Sequence, residues 1–301
     1  MKQSVVKIPW SESVWFFDVD DTLIDTAGLT LSASEGIKKV FASKYPEEDA
    51  ERVQKNYVDI FTTMMDGYRV KHEDEWKNIK GGKEAYENIL KEIESLQKRV
   101  KEKYGFIKKW SREVLIKIAA DRVGLKATPE MILEAGDAYW ISLAEQTQVY
   151  PQALALVKEI KKHNRPIYLI TSSDGRLTLA QDGQFDYEPK YSEALKRQRI
   201  DMLRDKGVEF SSLSIGDPED KPHQDFFEKG MRAAEEDLGK PFELSNTIML
   251  GDSFGGDLKT PKEVLGFGLV VLFEKGSNDT KIVDEHQINT GNLQEVAKFL
   301  V

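Results

Sequence analysis

The stretch that decides the fold is Val14-Trp15-Phe16-Phe17-Asp18-Val19-Asp20-Asp21-Thr22, an apolar run that ends in clustered carboxylates. Its β-branched and aromatic residues predict a buried strand. Open α/β sheets bind ligands at the carboxyl ends of their strands, which is where these acidic residues stand. Two close carboxylates without partners would repel each other by about 4 kcal/mol at an effective dielectric of about 20. A divalent cation relieves that repulsion, although Asp and Thr are also ordinary turn and helix-cap residues.

The composition is that of a globular protein with one large or two medium domains. Of its 301 residues, 40% are hydrophobic and 32% are charged. The net charge of −9 argues against broad electrostatic binding to nucleic acid or to an anionic membrane. No apolar stretch approaches the length of a membrane helix, and the first residues have no signal-peptide core. We therefore expect a cytoplasmic protein.

The sequence excludes cysteine chemistry and argues against a histidine-based metal site. The chain has no cysteine, which rules out disulfides, thiolate zinc sites and cysteine nucleophiles. Its four histidines are scattered without the i, i+3 or i, i+4 spacing of a helical metal site. Carboxylates must therefore do most of the available chemistry.

Two patterns of secondary structure follow each other along the chain. From about residue 27 to residue 148 the apolar residues show only helical periodicity. After Tyr150-Pro151, predicted helices and strands alternate. Repeated strand–helix units predict a parallel sheet covered by helices on both faces, which the first strand must join. We predict an α/β fold with a three-layer, Rossmann-like sheet. Residues 1–25 and 149–301 would form this core, and residues 26–148 an all-helical domain inserted after the first strand.

Polar residues follow four of the predicted strands. They are the acidic segment 18–22, Thr171-Ser172-Ser173, the loop 216–221 and the glycine-rich segment 251–257. Parallel strands place all their carboxyl ends at one edge of a sheet, so these segments are expected to converge. Together they supply carboxylates for a cation, a hydroxyl group and one ammonium group. That set suits the transfer of a phosphoryl group, whose charge needs a metal and fixed donors.

In this arrangement the chain resembles the phosphatases of the haloacid dehalogenase superfamily. The residues that match the four motifs of that family are Asp18, Asp20 and Thr22; Thr171; Lys221; and Gly251, Asp252 and Asp257. The resemblance covers residues 13–22 and about 149–275, nearly half of the chain. The helical insert stands where that family carries its type-one cap domain.

The resemblance implies a role for each matched residue. Asp18 would be the nucleophile, since a carboxylate can form an acyl-phosphate intermediate. Asp20 would protonate the leaving oxygen and then activate water. The hydroxyl of Thr171, the backbone amide of Ser172 and the ammonium of Lys221 would hold the phosphoryl group. The interval of 50 positions from Thr171 to Lys221 is longer than is usual for the family.

Magnesium is the cofactor that the resemblance implies. Its ligands would be Asp18, Asp20, Asp252 and Asp257. Taken alone, the segment 251–257 is an ordinary glycine-rich turn with an Asp cap, and only its order behind the other motifs favours a metal site. Asp21 stands where many relatives carry glycine, and we expect it to have a turn role only.

The function expected from the sequence is magnesium-dependent hydrolysis of a small phosphate monoester through an aspartyl-phosphate. The partner would be a small phosphorylated metabolite. A phosphomutase would retain the same residues and return the phosphoryl group to its substrate. A catalytically idle relative that serves as a binding protein is a further alternative, against which the intact acidic cluster argues.

Overall fold

The computed structural model describes residues 5–70 and 72–301, which form two units. The first unit comprises the described residues up to Ala27 together with Thr147–Ser173 and Glu193–Val301. The second comprises the described residues of Gly28–Gln146 together with Asp174–Ser192. Each unit buries its own apolar side chains.

The strands in the described part of the chain are short. They are β1 (Val14–Phe17), β2 (Ile167–Ser172), β3 (Leu177–Leu179), β4 (Phe185–Tyr187), β5 (Ser212–Gly216), β6 (Thr247–Gly251), β7 (Leu269–Phe273), β8 (Thr280–Asp284) and β9 (Gln287–Thr290). Seven of them form one sheet in the order β5-β2-β1-β6-β7-β9-β8. Neighbouring strands are parallel except β8 and β9.

The interior position of β1 places the polar segments at one edge of the sheet. Phe17 is level with Leu169 of β2 on one side and with Leu250 of β6 on the other. Because β5, β2, β1 and β6 are parallel neighbours, the chain leaves all four at the same edge. The predicted convergence of the four segments therefore follows from the register of the sheet.

The helices differ in length from one turn to six. They are α1 (Thr30–Ala33), α2 (Glu35–Ala42), α3 (Glu47–Arg69), α4 (Gly82–Leu96), α5 (Lys98–Tyr104), α6 (Arg112–Val123), α7 (Pro129–Gln146), α8 (Pro151–Lys162), α9 (Pro189–Asp201) and α10 (Gln224–Leu238). Two π-helical turns follow β6, at Phe254–Leu258 and at Pro261–Leu265. None of the described helices has the length and the apolar character needed to span a membrane.

The first unit has three layers, as predicted. Alternate side chains of β1 enter different cores, with Trp15 and Phe17 on one face of the sheet and Val14 and Phe16 on the other. The first face is covered by apolar residues of α8 and α9, and the second by residues of α10. A strand buried on both faces explains why the run 14–17 contains no polar residue.

The described residues between β1 and β2 form helices and no strand, in agreement with the sequence prediction. Its core is built mainly by α2, α3, α6 and α7, whose long side chains include Phe41, Tyr57, Ile116 and Tyr139. Each of these side chains is fully buried. The second unit therefore has enough apolar contact to form a core of its own.

The second unit also includes residues 174–192, which lie outside the bounds 26–148 that the sequence predicts for the insert. They contain the antiparallel hairpin of β3 and β4, whose Leu177 and Phe185 join the core of the helices. Three-residue strands that alternate buried, exposed and buried are too short to be recognised by periodicity.

Candidate active site

Three carboxylates meet at the edge of the sheet in the first unit. Asp18 follows β1, Asp252 follows β6, and Asp257 lies in the π-helical turn that comes next; one oxygen of each lies within 4.8 Å of the others. Asp18 and Asp257 are buried, whereas Asp252 is accessible to solvent. Gly251 permits this approach, since a Cβ atom at that position would lie 2.4 Å from Cβ of Asp257.

Lys221 neutralises part of this cluster. Its Nζ donates to Oδ1 of Asp18 at 2.5 Å and to Oδ1 of Asp257 at 2.6 Å. Burial by itself would lower the pKa of Lys221, but the two carboxylates raise it well above its usual value. Lys221 is therefore a fixed cation between Asp18 and Asp257.

The cluster still holds more negative charge than Lys221 offsets. Burial raises the pKa of Asp18 to about 7, and repulsion from Asp257 and Asp20 adds to this. Partial loss of hydration raises the pKa of Asp252 to about 9, with further repulsion from Asp257 and Asp18. Carboxylate oxygens are the ligands that magnesium prefers, and a divalent cation would relieve the repulsion. These three residues therefore fit the implied metal.

The carboxylate of Asp20 is engaged elsewhere in the first unit. It accepts hydrogen bonds from Thr26 Oγ1 at 2.5 Å, from NH2 of Arg199 at 2.9 and 3.2 Å, and from Nζ of Lys196. Burial would raise the pKa of Asp20, but Arg199 and Lys196 together hold it far below its usual value. Of the four expected metal ligands, Asp20 is the one whose side chain lies outside the acidic trio.

Thr171 and Ser172 end β2, next to β1. Thr171 is fully buried opposite Ile215, and its hydroxyl lies 3.4 Å from the backbone oxygen of Ser172. Within the described residues, neither hydroxyl is hydrogen-bonded to Asp18 or Lys221. The structure thus places both residues at the correct edge of the sheet, without a side-chain bond to the cluster.

Asp21 has the turn role that the sequence predicts. It has a positive φ of 59°, and its Oδ1 accepts from the backbone nitrogens of Thr26 at 3.1 Å and Ala27 at 2.9 Å. These bonds close the loop that carries Asp20. Short polar side chains tolerate this left-handed conformation better than most others.

Sequence reasoning did not find Lys196 and Arg199. Both lie on α9 in a polar stretch, Lys196-Arg197-Gln198-Arg199, that is typical of a solvated helix surface. Their i, i+3 spacing places them on one face of the helix. That spacing is the only local sign, and it does not reveal that this face is buried against Asp20.

Comparisons with known proteins agree with this geometry. The model of a hydrolase family, the haloacid dehalogenase-like hydrolases, matches residues 13–264. In structure, the chain is similar to a Thermotoga maritima protein that is described as a beta-phosphoglucomutase, with a TM-score of 0.51. The two sequences are 13% identical, and the match covers 95% of this chain and 98% of that one. This likeness shows a shared fold.

Two further solved structures are similar at lower scores. A HAD phosphatase from Thermococcus onnurineus is 18% identical, with a TM-score of 0.46 and coverage of 95% of this chain and 96% of that one. The HAD-hydrolase YfnB from Bacillus subtilis, bound to magnesium, is 15% identical, with a TM-score of 0.43 and coverage of 95% and 97%. No curated protein matches the sequence. Since the family model spans both the strand that ends at Asp18 and the turn that carries Asp257, the chain belongs to the haloacid dehalogenase-like hydrolases.

Proposed function

We propose that the protein is a magnesium-dependent phosphatase that hydrolyses a small phosphate monoester through an aspartyl-phosphate at Asp18. The observation that carries this function is the position of Asp18. Its carboxylate lies at the end of the interior strand β1, is hydrogen-bonded to Lys221, and stands within 4.8 Å of the Asp252 and Asp257 carboxylates. A binding protein has no need for so costly a concentration of buried charge.

Asp18, Asp252 and Asp257 would hold the metal. When bound, magnesium would neutralise the charge of the phosphoryl oxygens and of the carboxylates around them. Lys221 would then lie beside Asp18 as a fixed positive charge for the same oxygens. The hydroxyl of Thr171 and the backbone amide of Ser172, at the end of the neighbouring strand, would supply the remaining donors.

The reaction would take place in two displacements at phosphorus. In the first, an oxygen of Asp18 forms a bond to phosphorus while the ester P–O bond breaks, and the leaving oxygen takes a proton from Asp20. In the second, Asp20 accepts a proton from water as the water oxygen attacks phosphorus, and the bond to Asp18 breaks. Phosphate leaves, and both carboxylates return to their original states.

In the structure, the Asp20 carboxylate is held in the ionised form, in which it has no proton to donate. Lys196 and Arg199 keep it ionised, so it must leave these cations and gain a proton before it can serve the leaving oxygen. The second unit, including residues 174–192, would serve as the cap that selects substrate and excludes water.

Hydrolysis can be tested directly with a panel of sugar phosphates, nucleotides and phosphorylated acids, with and without magnesium. Release of free phosphate that requires magnesium is the expected result. Isomerised product without free phosphate would identify a phosphomutase instead. Asp18→Asn should be inactive, whereas Asp205→Asn, a matched change at an exposed residue away from the site, should retain full activity.

A further inference from the structure

Two cations of one helix converge on the carboxylate of Asp20 in the first unit. Lys196 and Arg199 lie three positions apart on α9, and both donate to Asp20. Their side chains are only 1% and 7% exposed, whereas that of Asp20 is 27% exposed. The cations are therefore built into the protein, and the carboxylate is the partner that faces solvent.

Two buried cations are more than Asp20 would need if it served only as a helix cap or a turn residue. Burying an ammonium and a guanidinium carries a large desolvation penalty for each ion, which only well-placed partners can offset. Asp20 already has local support from Thr26, whose hydroxyl donates to it at 2.5 Å. Two further cations are thus not needed to keep this loop in place, and their presence indicates a site for a carboxylate.

We propose that Lys196 and Arg199 bind a carboxylate of the substrate, which takes the place of Asp20. The site now accommodates a planar carboxylate, whose two oxygens lie 2.9 and 3.2 Å from NH2 of Arg199. An incoming carboxylate of the same shape can make the same bonds from the solvent side. Resting on the proposed function, this assigns the substrate class as phosphorylated carboxylic acids.

The spacing of the site limits the size of such a substrate. Two residues of extended chain span at most about 7 Å, so the Cα atoms of Asp18 and Asp20 cannot be farther apart. The phosphoryl group at Asp18 and the carboxylate at Lys196 and Arg199 would therefore be joined by a short chain of a few carbons. Longer acids would not reach both positions without bending.

Replacement of the Asp20 carboxylate by that of the substrate also releases Asp20 for its role as an acid. When the substrate carboxylate occupies Lys196 and Arg199, Asp20 loses the cations that hold it and can turn toward the leaving oxygen. Binding energy from a remote group would thus be used to complete the catalytic set, which raises kcat as well as lowering KM. Lys196 and Arg199 are in this sense substrate-binding residues that also position Asp20.

The kinetic test uses ω-phosphonooxy carboxylates of two to four carbons, each paired with the alkyl phosphate of equal length. The ratio of kcat/KM within a pair should favour the acid in the wild type. It should fall by roughly 10- to 100-fold in Lys196→Met and Arg199→Met, the range for a hydrogen bond to a charged group. Arg197→Met, an exposed cation of the same helix paired with Glu193, should leave the ratio unchanged. A wild-type ratio near one, or equal losses on both members of a pair, would overturn the inference.

A binding measurement keeps this result separate from the proposed function. Malonate, which carries no phosphoryl group, is titrated calorimetrically into the metal-free protein. Asp20→Asn should bind malonate more tightly than the wild type because the internal competitor is gone, and Asp20→Asn/Arg199→Met should lose that gain. If no ester is hydrolysed but this pattern holds, the phosphatase function is wrong and the carboxylate site stands. If neither Asp20→Asn nor the added Arg199→Met changes the affinity for malonate, the carboxylate site is wrong even if the protein is an active phosphatase.

Discussion

Nζ of Lys221 lies 2.5 Å from Oδ1 of Asp18, although the two residues are 203 positions apart in the chain. Both side chains are 6% exposed, so the pair is formed in protein surroundings where charge interactions are strong. Lys221 reaches Asp257 as well, and this second contact ties the loop after β5 to the turn after β6. One lysine thus joins three of the four polar segments.

Asp18→Asn should abolish turnover. Asparagine has nearly the same shape but is a poor nucleophile, so kcat should fall by roughly 10⁴-fold or more, as for other nucleophile removals. The measurement is phosphate release, with circular dichroism to show that the fold is retained. A folded variant with a substantial residual rate would mean that another group attacks phosphorus.

Asp20→Asn should separate proton transfer from nucleophilic attack. Loss of general acid–base help typically lowers rates by ~10²–10⁴-fold, and the loss should be larger for alkyl phosphates than for activated aryl phosphates, whose leaving groups need no proton. Comparison of kcat for both substrate types checks this. Equal losses on the two types would exclude leaving-group protonation as the role of Asp20.

Lys221→Met should destabilise the metal-free protein. Asp18 and Asp257 would then lose their shared cation inside the protein, and breaking a buried ion pair typically costs about 3–5 kcal/mol. Magnesium should restore part of the loss, because it binds only the folded cluster. Denaturant unfolding with and without magnesium is the measurement, and Lys190→Met, an exposed lysine at the start of α9, is the matched control.

Arg176→Met should destabilise the second unit. Arg176 is buried and forms ion pairs with Glu113, which is completely buried, and with Asp137, which is partly exposed. The unpaired Glu113 should lower the free energy of unfolding by about 3–5 kcal/mol. Addition of Glu113→Gln should recover part of the loss, since the buried negative charge is then gone. A double variant no more stable than Arg176→Met would argue against the ion pair as the cause.

Excision of the helical insert should succeed only if residues 174–192 are removed with it. Replacement of 28–146 alone by a Gly/Ser linker would expose Leu177, Leu179, Phe185 and Tyr187, which belong to the core of the second unit. We expect that variant to aggregate. Replacement of both segments should leave a monodisperse core that slowly cleaves an activated aryl phosphate, as judged by gel filtration and rate. The reverse result would show that the hairpin can be buried without the helices.

The local pattern of the sequence was sufficient for the α/β fold, for the edge where the polar segments meet and for the all-helical insert after β1. Each depends on short-range regularities: the apolar run 14–17, the helical periodicity of residues 27–148 and the alternation that follows. The hairpin of β3 and β4 was missed because three-residue strands carry almost no periodicity. Its burial depends on contacts with helices far away in the chain.

The sequence by itself determined which residue types could act at the site, because Asp18, Lys221, Asp252 and Asp257 follow strands that hydrophobic patterning predicts. Only the tertiary structure decided that Lys221 binds both Asp18 and Asp257, and that Asp20 is held by Lys196 and Arg199. Such pairs join residues separated by as many as 203 positions. Charged side chains on a helix have the same local pattern whether their face meets water or a buried carboxylate, and only packing distinguishes the two.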